Sequence, residues 1–143
     1  MAIGGKIALN IVTPDQSYAY EVDEVSLPGS EGDFGVLPGH ERFLAPLRIG
    51  EIHLEAEDGS VVYGAISSGF VEISADRVVV MADSCELASD IDVARAERAK
   101  ARAEAELERV RREHADQSSF MIQEGALQRA LTRLQVASKT QSI

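Results

Sequence analysis

An all-β sandwich or barrel followed by an antiparallel pair of helices, an α+β arrangement in two domains, is the fold this sequence predicts. Three observations carry that prediction. Ten of the eleven glycines lie at or before Gly69 and all four prolines (Pro14, Pro28, Pro38, Pro46) precede residue 47, so helix breakers crowd the first part of the chain and desert the second. Apolar residues alternate with polar ones as far as Met81, the period of half-buried strands. From Ser89 the composition turns to Ala, Glu, Arg and Leu, the strong helix formers, and no glycine appears again until Gly125. The division falls near residue 88, giving a β domain over 1–88 and a helical hairpin domain over 89–143.

The strands follow in order. Ile7, Leu9 and Ile11 form one alternating set, Tyr18, Tyr20 and Val22 a second, and Ile52, Leu54 and Ala56 alternate with Glu51, His53 and Glu55. Short segments at 61–66, 70–73 and 77–82 are separated by the turn signals Glu57-Asp58-Gly59-Ser60 and Ser74-Ala75-Asp76, the spacing of an all-β domain. Residues 27–40, with glycines at 29, 32 and 35, read as a tight loop on the rim or as an exposed acidic loop that docks on another protein. As a phosphate cradle the stretch fails, because it lacks a lysine and its Glu31 and Asp33 repel anions.

Ser89, followed three residues later by Asp92, resembles a capping box and starts the first helix near Asp90, with its end around His114. Val93, Ala96, Ala103, Leu107 and Val110 fall on one stripe of it. Asp116-Gln117-Ser118-Ser119 reads as a turn, and Leu127, Ala130, Leu131 and Leu134 make the stripe of the second helix. Gly125 costs that helix about 1 kcal/mol against alanine, so the helix is expected to begin late or bend there. The seam between the helices is thin, since a buried alanine contributes far less than the ~1.5–3 kcal/mol of a leucine. Modest differential binding can open such an interface.

Composition excludes several classes of function. The formal charge is −10, and it is segregated: four basic against fifteen acidic side chains up to residue 88, ten against nine after it. A nucleic-acid backbone would be repelled by the first part. No apolar run approaches the roughly 18 residues that cross a bilayer, and residues 1–6 show no charged-then-apolar leader, so a cytosolic chain is expected. Cys85 is the single cysteine, without metal-ligand spacing around it, and reads as a small buried hydrophobe.

Catalytic constellations are missing. No G-x-x-x-x-G-K-[ST], H-E-x-x-H or G-x-S-x-G occurs, and His40, His53 and His114 stand in three different settings. Arg95, Arg98, Arg102 and Arg109 on the first helix, with Arg129 and Arg133 on the second, admit two readings. One is a solvated surface in which Glu106 pairs with Arg102 and Arg109, and Glu108 with Arg112, each pair worth a few tenths of a kcal/mol. The other is an anion site in which arginine forks grip phosphate oxygens and Asp92 accepts from an adenine amino group or a ribose hydroxyl. Asp92 also has the plainer role of favouring a helix N-terminus.

The order of features, with residues 29–40 (Gly29-Ser30-Glu31-Gly32-Asp33-Phe34-Gly35-Val36-Leu37-Pro38-Gly39-His40), Ser68-Gly69-Phe70-Val71-Glu72-Ile73, and Val79-Val80-Met81-Ala82-Asp83 leading into Ile91-Asp92-Val93-Ala94-Arg95-Ala96, resembles the epsilon subunit family of the F-type ATP synthase. The resemblance implies a ten-stranded β-sandwich that binds the foot of the gamma subunit and rests on the ring of c subunits. It places Glu31 and Asp33 against the ring and His40 near the rotor contact. It further implies a hairpin that lies folded on the sandwich or extends into the alpha/beta head, where it obstructs ATP hydrolysis. Some bacterial members bind ATP in the folded hairpin through an I/L-D-x-x-R-A motif, present here as Ile91, Asp92, Arg95 and Ala96, with further contacts mapping onto Glu86, Arg102, Arg129 and Arg133.

The implied protein is a non-catalytic coupling and regulatory subunit with no required cofactor and ATP as a regulatory ligand. It is peripheral to the inner membrane on the cytoplasmic side. The rival reading is a free-standing ATP-sensing adaptor outside any rotary complex.

Overall fold

The computed structural model describes residues 6–39, 41–56 and 58–140. Ten strands come first: β1 (Ile7–Val12), β2 (Ser17–Val22), β3 (Glu24–Gly29), β4 (Gly32–Val36), β5 (Phe43–Leu47), β6 (Gly50–Glu55), β7 (Val61–Ile66), β8 (Gly69–Ile73), β9 (Arg77–Ala82) and β10 (Cys85–Leu87). They belong to one hydrogen-bonded sheet in the order β10-β7-β6-β3-β5-β8-β9-β1-β2, with β4 paired on β3. All pairings are antiparallel except β1 with β9. Inward residues of all ten strands meet in a single apolar cluster, from Ile7, Leu9 and Ile11 of β1 to Cys85 of β10. A flat sheet could not bring them together, so the sheet folds over on itself as the sandwich expected from the alternating pattern.

Residues 27–36, expected to be part of a loop, are instead a β-hairpin, while residues 37–39 lie outside the strands. Leu27, Pro28 and Gly29 end β3 and pair with Phe34, Asp33 and Gly32 of β4 across a two-residue turn at Ser30 and Glu31. Glycine makes the turn possible, because a Cβ on Gly29 would stand 2.6 Å from the Gly32 carbonyl oxygen and Gly32 itself has φ 138°. Composition pointed to a loop because the short strand carries glycines, which β-propensity disfavours. The pairing with β3 overrides that preference. Glu57 of the predicted β6–β7 turn and His40 lie outside the described residues.

The helices are α1 (Val93–Arg112) and α2 (Gln117–Thr140), preceded by a 3₁₀ turn at Ala88–Asp90. The first helix therefore starts later than the Ser89 cap predicted. Ile91 is extended and buried against Ala65, Val136 and Ala137, which holds the chain out of helical conformation until Asp92. Asp92 is the true cap, its Oδ1 accepting from the Arg95 N–H at 3.0 Å. The second helix starts earlier than predicted. Asp116 accepts from the Ser119 N–H at 2.9 Å, so Gln117, Ser118 and Ser119 are the first turn of α2 and not a connecting turn. α2 runs through Gly125 unbroken.

The seam is made of small residues, as the sequence predicts. Ala96, Ala103 and Val110 of α1 and Ala130 of α2 are buried, whereas Val93 and Leu131, expected on the stripes, are more than a third exposed. Beyond the stripe expected for α2, Val136 and Ala137 are buried on the sandwich.

Candidate functional site

Starting α1 at Val93 sets the phase of its residues, and Arg95, Ala96, Ala99 and Arg102 come round to one face at steps of one, three and three. On α2 the spacing of three and four does the same for Ala126, Arg129 and Arg133. These two faces converge over the β1–β2 loop (Thr13, Asp15, Gln16) and the β9–β10 turn (Asp83, Ser84), enclosing a cavity of about 480 Å³. That is the size range of small-molecule sites. Of the residues expected at a nucleotide site, Glu86, Asp92, Arg95, Ala96, Arg102, Arg129 and Arg133 all line this one cavity. Ile91 does not, being buried between the sandwich and the end of α2 as a packing anchor.

Four guanidinium groups face four carboxylates in the lining (Asp15, Asp83, Glu86, Asp92). Glu86 Oε1 accepts from Arg133 Nε at 2.5 Å, with each side chain about one-third exposed. Among the described residues, Arg95, Arg102 and Arg129 form no ion pair. The expected partner of Arg102 is engaged elsewhere, since Glu106 binds Arg109 at 2.9 Å and Glu108 binds Arg111 instead of Arg112. Both of these pairs are i,i+3, and Arg109 also pairs with Glu113 one turn on at 3.3 Å. Three guanidinium groups and the carboxylates of Asp15, Asp83 and Asp92 thus line the cavity without an ion pair among the described residues, so it offers a ligand charged donors and charged acceptors together. Among the described residues no group of three or more His, Cys, Asp and Glu side chains is disposed to hold a metal.

Cys85 adds no reactivity to this wall. Burial, reinforced by the neighbouring Glu86 carboxylate, pushes its thiol up to about 11, which keeps it protonated at neutral pH.

Two of the residues expected to touch a partner, Glu31 and Asp33, lie at the β3–β4 turn and the start of β4. Glu31 is exposed in the hairpin turn, and Asp33 on β4 is two-thirds exposed while ion-paired to Arg48.

Two features were missed from the sequence. Asp15, Gln16 and Asp83 come from loops, where no periodicity signals which way a side chain faces. The second is a row of outward residues across four adjacent strands. Pro46, Phe70, Met81 and Val12 are successive cross-strand partners on β5, β8, β9 and β1, and the last three are about half-exposed. The available signal was Phe70, an aromatic at the outward position between the inward Val71 and the turn. The row is contiguous and apolar, which makes it a candidate protein contact surface.

No helix among the described residues is long and apolar enough to cross a membrane. Residues 6–88 match the family model for the ATP synthase delta/epsilon chain β-sandwich domain, and residues 89–138 that for the long α-helix domain of the same chain. The chain is 41% identical over 136 residues to the ATP synthase epsilon chain of Geotalea daltonii, covering 94% of this chain and 96% of that one. It is 43% identical over 132 residues to the epsilon chain of Halalkalibacterium halodurans (92% and 96%). With the epsilon chain of Nitratidesulfovibrio vulgaris the identity is 46% over 129 residues (90% and 92%). A chain in the mitochondrial ATP synthase of Euglena gracilis shares the fold, with a TM-score of 0.77 at 24% identity over 94% of this chain and 82% of that one.

Proposed function

As the chain belongs to the ATP synthase delta/epsilon chain family, we propose that it is a non-catalytic central-stalk subunit that couples gamma to the c-ring in proton-driven ATP synthesis and restrains ATP hydrolysis through its hairpin. In this reading the protein sits peripherally on the cytoplasmic side of the inner membrane. The apolar row of Val12, Pro46, Phe70 and Met81 supports a permanent protein partner, for which gamma is our assignment. The exposed β3–β4 turn with Glu31 and Asp33 is assigned to the polar loops of the c-ring. The same row weighs against a free-standing adaptor, which would leave it in water.

The hairpin is assigned a second posture in which it leaves the sandwich and rises into the alpha/beta head. The observation that carries the regulatory half of the proposal is the cavity of about 480 Å³ whose walls come from α1, α2 and the sandwich together. Such a cavity exists only while the hairpin is docked, so any ligand it binds favours docking. ATP is the ligand we assign. Arg95, Arg102 and Arg129 take phosphate oxygens, Arg133 is already oriented by Glu86, and Asp92 receives the adenine amino group or a ribose hydroxyl. At ten times its Kd, ATP would stabilise the docked form by about 1.4 kcal/mol, enough to decide between postures of similar energy.

Calorimetric titration of the purified chain with ATP tests this reading. Arg95→Ala and Arg129→Ala should each weaken binding by about tenfold or more, about 1.4 kcal/mol, the loss of one charge-assisted phosphate contact. Unchanged affinity in both variants would remove the ligand assignment. Co-purification of the chain without alpha, beta, gamma and c subunits would favour the adaptor.

A further inference from the structure

Among the described residues, the hairpin meets the sandwich at an apolar patch flanked by two ion pairs. Val136 and Ala137 of α2 are buried against Ala65 and Ile91, with Tyr63 and Ala88 at the margin. On one flank of the patch Arg133 meets Glu86 in the wall of the cavity. On the other flank Lys139 Nζ donates to Glu51 Oε1 at 2.6 Å, where the Glu51 side chain is only 19% exposed. The same ammonium stands 5.0 Å from the centroid of the Tyr63 ring. Arg133 and Lys139 are six positions apart, a rotation of about 240° around a helix, which puts them on different sides of α2.

The socket for Lys139 is built entirely by residues of the sheet. Tyr63 on β7 is the cross-strand partner of His53 on β6, their rings 5.9 Å apart, and Glu51 lies two residues from His53 on the same face. A carboxylate and an aromatic face are thereby offered together to one cation. Neither Glu51 nor Lys139 lines the ligand cavity; both border a separate cleft with Asp33, Arg48, Thr132 and Gln135. A ligand that draws Arg133 away from Glu86 therefore leaves Lys139 in place.

We propose that Lys139, Glu51 and Tyr63 form a ligand-independent clasp that holds the end of α2 on the sandwich while the cavity is empty. This rests on the hairpin being detachable, as proposed above, and not on ATP being its ligand. Ile91 and Val136, with three alanines and the edge of Tyr63, make up the apolar patch, and the clasp adds a polar hold beside it at the end of α2. A part-buried ion pair combined with a cation–π contact is worth roughly five- to tenfold in an equilibrium constant. The clasp thus sets how often the arm is free in the absence of ligand.

The test measures the distance between spin labels at Ser60→Cys in the β6–β7 turn and Glu124→Cys on α2, in the full-length Cys85→Ala chain without nucleotide. Lys139→Met should raise the undocked-to-docked ratio about five- to tenfold, Glu51→Gln less because Lys139 keeps its place over Tyr63, and the double variant no further than Lys139→Met alone. Additive effects would mean that Lys139 serves only the helix dipole and would overturn the clasp. Unchanged distributions in both variants, beside an Arg133→Met chain that does open, would overturn it as well. If Arg133→Met also leaves the distances unmoved, the hairpin is rigid, and the mobility reading fails together with the clasp.

Discussion

Gly69 occupies a position in the sheet where no side chain fits. A Cβ there would lie 1.9 Å from the Met81 carbonyl oxygen and 2.8 Å from the Ala82 Cα, both backbone atoms of the neighbouring β9 that cannot swing away. Gly69→Ala is therefore expected to lower stability by on the order of 3 kcal/mol, as overpacking against backbone does. A fall in the urea midpoint with unchanged slope is the readout, and an unaltered midpoint would mean that β8 and β9 sit farther apart than described here. Asp92 shows the opposite case, in which one residue serves two purposes. Its carboxylate caps α1 through the Arg95 N–H and also lines the cavity, so a binding defect in Asp92→Ala would mix a lost cap with a lost contact. For that reason the arginines, which do not hold the helix together, make the cleaner probes of the site.

At the scale of elements the hairpin owes its shape to its ends more than to its seam. Ala96, Ala103, Val110 and Ala130 bury little area, while the turn between the helices is closely specified. Ala115 N–H donates to the Val110 carbonyl at 3.1 Å and His114 N–H to the Arg111 carbonyl at 3.4 Å, a Schellman closure of α1. His114 carries the left-handed conformation this requires, with φ 50°, at a position where glycine is usual. His114→Gly should stabilise the hairpin by about 1 kcal/mol. Slower amide exchange in the last turn of α1 and the first of α2 would register the gain, and faster exchange would contradict it. Two residues on, the Asp116 carboxyl is held below its usual range by hydrogen bonds from Ser119, so this cap weakens as pH falls through the carboxylate range.

Across the whole molecule the sandwich has a core of its own, and a second, smaller cluster joins it to α2. The seventeen residues of the main cluster run from Ile7 to Cys85, and none comes from a helix. Deleting 89–143 should leave a sandwich with a cooperative thermal transition that still takes up the gamma and c-ring partners proposed for it. A non-cooperative melt, or loss of assembly, would show that the helices complete the platform. Much of this organisation was legible beforehand, because a strand buries alternate residues and a helix every third or fourth, and both periods are written in the order of side chains. Ile7, Leu9 and Ile11, or Ala96 and Ala103, could be assigned to an interior without knowing what they would meet. Strands β3, β4, β5 and β10 escaped the local pattern, β4 because its glycines obscure the alternation and β10 because three residues carry no period, and the caps shifted because Ile91 is pinned by contacts distant in sequence. For the cavity, spacing determined that Arg95 shares a face with Arg102 and Arg129 with Arg133, since helix geometry is local. That these faces meet each other over Asp15 and Asp83, and that Lys139 finds Glu51 across 88 residues, was decided only by the tertiary structure, because the relative placement of elements depends on packing between segments that no local period encodes.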